Sequence, residues 1–461
     1  MCIKITSDIL FERFFDNIDI LEYIISLISN NINILLVSKE IYNLTTKYKN
    51  IMLDFNYIIY NINSNINIIK EYYIKKYKNV YIKSNYIINN NITHLILDSK
   101  REIYKLPNNL HTLKLDCYFN QKINNLPNNL HTLKLFCHFN QKTDNLPNNL
   151  RVLILDGNFN QEVNNLPENL DILELNGKFN QNINKLPKNL HTLKLGNNFN
   201  KPINKLPDKL NTLILGHNFI HKINNLPKEL KNLKIYGCFN ETINKLPINL
   251  DILEIHGSFN QYINNLPKKL TKLYLYGVFN QPIYNLPKKL HTLKLGYYFN
   301  KTIYNFPENL HTLDFGIEFN QKIDNLSNLH ILKLGYNFNQ TINNLPKNLH
   351  TLITGTKFNQ SINNLPENLH TLILKSDNFD YNIDNLPNKL NTLKIYGTLN
   401  KTINNLPEQL YKLKLGYKFN QNIKHLPNNL NILILSKKYN KNINNLPKKN
   451  ENLNNISIIR Y

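Results

Sequence analysis

From Leu110 onward, apolar and polar positions recur with a period of twenty residues. One copy reads L-x-x-L-x-L-x-x-x-F-N-x-x-I-x-x-L-P-x-x, and the next begins at Leu130. Seventeen copies follow one another, with the Phe-type position running from Phe119 to Tyr439. A shortened unit with Leu95, Leu97, Ile103 and Leu106 precedes them. Each full copy carries six recurrent apolar positions, in the first Leu110, Leu113, Leu115, Phe119, Ile123 and Leu126. Leu113 and Leu115 stand two apart and therefore share one face of a short strand, with Thr112, Lys114 and Asp116 on the other. A single copy cannot bury six apolar groups, whereas stacked copies bury them as continuous columns. The pattern thus predicts a repeat solenoid over residues 93–449 with a parallel β-sheet about 80 Å long.

The segment returning from each strand to the next does not read as an α-helix. Seven residues separate Phe119 from Pro127, many of them Asn, and such short segments make poor helices. The residue before each Pro is held extended. The return path is expected to be turn, extended or 3-10 geometry. The special residues obey the same period. Seventeen of the 19 prolines follow the last apolar residue of a repeat, and all 13 glycines fall just after the L-x-L segment. Asn follows the Phe-type residue in fifteen of the seventeen copies, failing at Ile220 and Asp380. A ladder of amides that satisfies backbone groups of its own or the next turn is the expected role of that column.

The stretch Ile123-x-x-Leu126-Pro127-x-x-Leu130-x-x-Leu133-x-Leu135 resembles the core of a leucine-rich repeat. The added Phe179-Asn180-Gln181-Asn182-Ile183 and its equivalents resemble the FNIP repeat, found in amoebae and the giant viruses that infect them. The resemblance covers about residues 93–449 and implies a leucine-rich-repeat-like fold that binds other macromolecules.

Residues 1–50 lack the period. Ile20, Leu21, Ile24, Ile25, Leu27 and Ile28 recur at helical spacing, and a second apolar cluster runs from Ile32 to Val37. The pieces Ile24-Ile25-Ser26-Leu27-Ile28 and Leu36-Val37-Ser38-Lys39 resemble an F-box, the small helical motif that docks on Skp1 of a cullin ubiquitin ligase. That resemblance implies a Skp1-like partner touching Ile24, Ile25, Leu27, Leu36 and Val37. A helical cap shielding the first coil is the competing reading. Residues 51–92 read as linker and N-terminal cap, and residues 450–461 as a C-terminal cap or tail in which Ile456-Ser457-Ile458 supply a last strand.

Composition adds charge to this frame. The net charge is +23, of which residues 1–92 hold +2. A basic solenoid attracts acidic proteins, nucleic acid or anionic surfaces. No apolar run reaches a membrane span, and the N-terminus lacks the core of a signal peptide. Four cysteines do not make a disulfide framework, so Cys117 and Cys137, at one repeat position, are expected as free thiols. These features point to an intracellular, cytoplasmic protein that engages no membrane, read as a monomer.

No phosphate-binding loop, nucleophile elbow or zinc spacing occurs, so neither catalytic residues nor a cofactor or metal site is expected. Eight of the 14 histidines share one column, from His111 to His370, and read as a polar rim. The outward strand column beginning at Lys114 varies instead, with eight Lys and three acidic residues among seventeen positions. Lys234, Tyr236, Tyr274, Tyr276, Lys294, Tyr297 and Tyr298 gather on adjacent coils, and aromatic residues beside cations favour binding. This is the candidate partner-binding face. The function expected is a protein-interaction adaptor, the substrate-recognition subunit of a Skp1–cullin–F-box ligase. A scaffold without a ligase link and a basic nucleic-acid binder are the alternatives.

Overall fold

The computed structural model describes residues 57–60, 79–82, 92–97, 106–115, 118–442 (Asn325, Asp380, Asn404 and Lys424 aside) and 457–460. These residues form one sheet of 21 parallel strands and no helix. Every L-x-L segment is a strand, from Thr112–Leu115 to Ile432–Leu435. The period sets the register: Leu113 pairs with Leu133 and Leu115 with Leu135, so like residues stack on like. Tyr57–Tyr60 and Asn79–Ile82 continue the sheet ahead of His94–Leu97, and Ser457–Arg460 pairs with Ile432–Leu435 beyond its far end. The expected last strand is therefore present, displaced slightly from the stretch that suggested it.

Burial alternates along the strands as the period-two pattern requires. Leu113, Leu133, Leu153 and Leu173 are fully buried, whereas the residues on either side of each are partly exposed. Two turns complete each coil. In the first, the N–H of the residue after Pro-x-x donates back to the Pro carbonyl, as Leu150 does to Pro147 at 3.0 Å. In the second, the Phe-type residue closes on a residue three earlier, as Phe199 does on Gly196 at 3.1 Å. The return path is thus turns and extended chain, as its Asn and Pro content predicts.

The phenylalanines form a stacked column. Consecutive ring centroids from Phe119 to Phe379 lie 5.9 to 6.4 Å apart. Strands in the sheet lie about 4.8 Å apart. The coil therefore rises further per repeat at the Phe column than at the sheet, and the solenoid bends with its sheet on the inner side. Over a layer about 10 Å deep that difference is a rotation of about 7° per coil. Interplanar angles between successive rings of the column run from 3° to 18° and bracket that value.

The frame loosens where the period slips. Leu326-Ser327-Asn328-Leu329 is one residue short, and strands Thr312–Asp314, Ile331–Lys333 and Thr351–Ile353 have three residues instead of four. One extra residue follows Leu374, and the buried hydroxyl of Ser376 there has no hydrogen-bond partner.

Candidate partner-binding face

The outward strand face is shaped by where glycine sits in the turn that follows. In coils reading Tyr236-Gly237, His256-Gly257 and Tyr276-Gly277, glycine adopts φ of 76°, 85° and 77°. Such left-handed backbone favours glycine and leaves the preceding position free to carry a large side chain. Three such coils in succession build a ring ladder. Tyr236 and His256 stack at 4.7 Å between centroids, and His256 and Tyr276 at 4.6 Å. Tyr274 lies 6.1 Å from Tyr276, and the Lys294 ammonium sits over the Tyr274 ring at 5.3 Å.

A charged trio underlies the rings. Lys234 Nζ lies 2.9 Å from Glu254 Oε2, and His256 Nε2 donates to Glu254 Oε1 at 2.7 Å. Burial opposes ionisation of Glu254, but His256 and Lys234 outweigh it and hold the carboxyl below its ordinary value. The hydrogen bond to Glu254 raises the Lys234 ammonium. Burial, reinforced by the Glu254 charge, pushes the Tyr276 hydroxyl up to about 12 and raises Tyr274 as well. Both phenols stay neutral near pH 7 and act as hydrogen-bonding groups.

Five of the seven residues that the sequence marked, Lys234, Tyr236, Tyr274, Tyr276 and Lys294, thus lie on one strip of the sheet. Tyr297 and Tyr298 do not join the strand face. Glycine comes one position earlier in that coil, at Gly296, and the two tyrosines pack on each other in the turn at 4.7 Å. Glu254 and His256 were not marked, although they tie the strip together. Their signal was their spacing: both flank inward Ile255 and so must share the outer face.

Two other columns are structural. Asn Oδ1 accepts the backbone N–H of the equivalent Asn one coil later, as in Asn140–Asn160 and Asn260–Asn280 at 2.8 and 2.9 Å. On the rim, His291, His311, His330, His350 and His370 stack in succession, with centroids 3.8 to 5.1 Å apart. Nδ1 of His330, His350 and His370 meets the carbonyl two residues earlier, which aligns the rings. Nearly parallel rings such as His350 and His370 send their lone pairs side by side, so they do not converge on one ion. Among the described residues no group of three or more His, Cys, Asp or Glu is placed to hold a metal. Cys137 and Cys238 are free thiols, and Cys117 lies outside the described residues.

The FNIP Repeat family matches residues 139–178, 179–218 and 259–298. CroV588, described as a novel circular leucine-rich-repeat protein structure, is 32% identical over 80% of this chain and 73% of its own, with a TM-score of 0.51. The chain belongs to the leucine-rich-repeat proteins and carries FNIP repeats. Two further solved structures align with this FNIP-repeat protein at lower similarity. YopM from Yersinia enterocolitica is 17% identical over 75% of this chain and 87% of its own, with a TM-score of 0.43. A leucine-rich-repeat protein of Leptospira interrogans is 21% identical over 74% and 89%, with a TM-score of 0.42. No curated protein matches the FNIP-repeat chain. The F-box-like residues Ile24, Ile25, Leu27, Leu36 and Val37 lie outside the described residues.

Proposed function

We propose that this FNIP-repeat protein is a non-catalytic adaptor, a monomer working inside the cell, whose sheet face holds a target protein and whose N-terminal segment docks on Skp1 of a cullin-type ubiquitin ligase. One observation carries the first half. Inward columns repeat nearly the same Leu, Phe and Ile in every coil, while the outward column changes from coil to coil and gathers the Tyr236–His256–Tyr276 ladder. A fixed frame with one variable face is the arrangement by which solenoids present binding surfaces. The second half rests on the match of Ile24–Ile28 and Leu36–Lys39 to an F-box.

A Skp1 pull-down with the full chain tests the ligase link. Ile25→Asp and Val37→Asp should abolish capture while circular dichroism keeps its β-sheet signal, because distant coils do not depend on the N-terminal segment. Absence of Skp1 binding by the unmodified chain would remove the adaptor reading and leave a scaffold without a ligase link.

A further inference from the structure

The two outward positions of each repeat strand hold ten Lys and only three carboxylates over the seventeen repeats. Each carboxylate is neutralised from within. Glu174 pairs with Lys194 at 3.2 Å, Glu254 with Lys234 at 2.9 Å, and Asp314 with Lys333 at 3.4 Å. Lys134, Lys294 and Lys394 in the same column form no ion pair among the described residues. Between the cations stand aliphatic side chains facing outward, among them Ile154, Ile214, Ile353 and Ile373. An anionic partner laid along this strip meets no uncompensated negative charge, and a cationic one is repelled along its length.

Resting on the reading of the sheet face as the target surface, we infer that its partner is an acidic protein segment in which carboxylates alternate with aliphatic side chains. Thirteen strand spacings separate Lys134 from Lys394, about 62 Å, which an extended segment of about eighteen residues spans. Single-stranded nucleic acid fits less well, for two reasons. Its bases stack on open aromatic faces. Here Tyr236 and Tyr276 each turn one face to His256 between them, at 4.7 and 4.6 Å, so these sides are closed to a base. Aliphatic side chains also interrupt the cations, where a phosphate backbone rewards a continuous track.

The test uses the full chain and a synthetic peptide of that length interleaving Glu and Leu, read by fluorescence anisotropy. Three controls accompany it: Lys in place of Glu, Ser in place of Leu, and oligodeoxythymidylate. The Glu–Leu peptide should bind most tightly, the Glu–Ser peptide more weakly, and the Lys–Leu peptide not at all. Lys134→Gln, Lys294→Gln and Lys394→Gln together should cost about tenfold in affinity, the size expected of three exposed ion pairs. Circular dichroism verifies that the variant keeps its sheet. Equal binding by the triple variant, no binding of the Glu–Leu peptide, or tighter binding of the oligonucleotide would overturn the inference. The Skp1 pull-down is read separately. Lost peptide binding with Skp1 capture intact removes the partner assignment alone, and lost Skp1 capture removes the ligase link alone.

Discussion

Asn180 donates its backbone N–H to the side-chain oxygen of Asn160, 2.8 Å away and one coil earlier, and Gln181 Nε2 reaches the same oxygen at 3.2 Å. One amide thus serves two donors of the next repeat. Asn160→Ala should leave a partly buried N–H unpaired and cost about 1–3 kcal/mol. Asn160→Asp keeps an acceptor and should cost less. Amide hydrogen exchange at Asn180 and Gln181 reports the loss locally, and unchanged protection in the Ala variant would contradict the ladder's role.

The coil with the extra residue should be improvable. Thr354 is fully buried at an inward Leu position, yet its hydroxyl accepts the N–H of Lys375 at 3.2 Å. Ser376, in the next coil, buries a hydroxyl with no partner. Ser376→Ala should therefore be neutral or stabilising, while Thr354→Val should destabilise by about 1 kcal/mol through the orphaned N–H. Urea unfolding followed by circular dichroism compares the two. Equal losses would show that the hydroxyls do not differ as described.

Gly257 sits at φ +85°, and a Cβ there would press on the Gly237 carbonyl one coil earlier. Gly257→Ala should cost more than about 1 kcal/mol from backbone strain and that contact together. It should also tilt the His256 ring out of the Tyr236–Tyr276 stack. Tyrosine fluorescence and thermal unfolding of the variant check both consequences, and a stability equal to the parent would refute the argument.

The fold was legible because one period fixed three things at once: inward residues, strand register and the place of every turn. Leu113 could pair only with Leu133 if the columns were to close. The site was legible in part. Lys234, Tyr236, Tyr274, Tyr276 and Lys294 gather on one strip, as column reading placed them, whereas Tyr297 and Tyr298 stand apart in the turn. Their positions are the turn positions that Gly277 and Val278 hold one coil earlier, beyond the strand that ends at Leu295. Strands Tyr57–Tyr60 and Asn79–Ile82 lie outside the twenty-residue phase, so no column marked them.

His311 in the histidine rim should make stability depend on pH near neutrality. His311 is held below the ordinary imidazole value of 6.5, first by burial and then by the neighbouring His330, His291 and His350. A lowered value means that the folded chain resists a proton that the unfolded chain accepts. Its contribution is therefore intact above 6.5, declines as pH falls from 6.5 toward the lower folded value, and levels off below that. Glu254, whose folded value is also lowered, adds a second loss only at pH below the ordinary carboxylate value of 4.5. The two windows are separable. His311→Gln removes the shifted ring, so its stability should fall less than the parent's between about pH 7 and pH 5. Urea unfolding at both pH values measures the difference. An identical slope for parent and variant would place the pH dependence elsewhere in the chain.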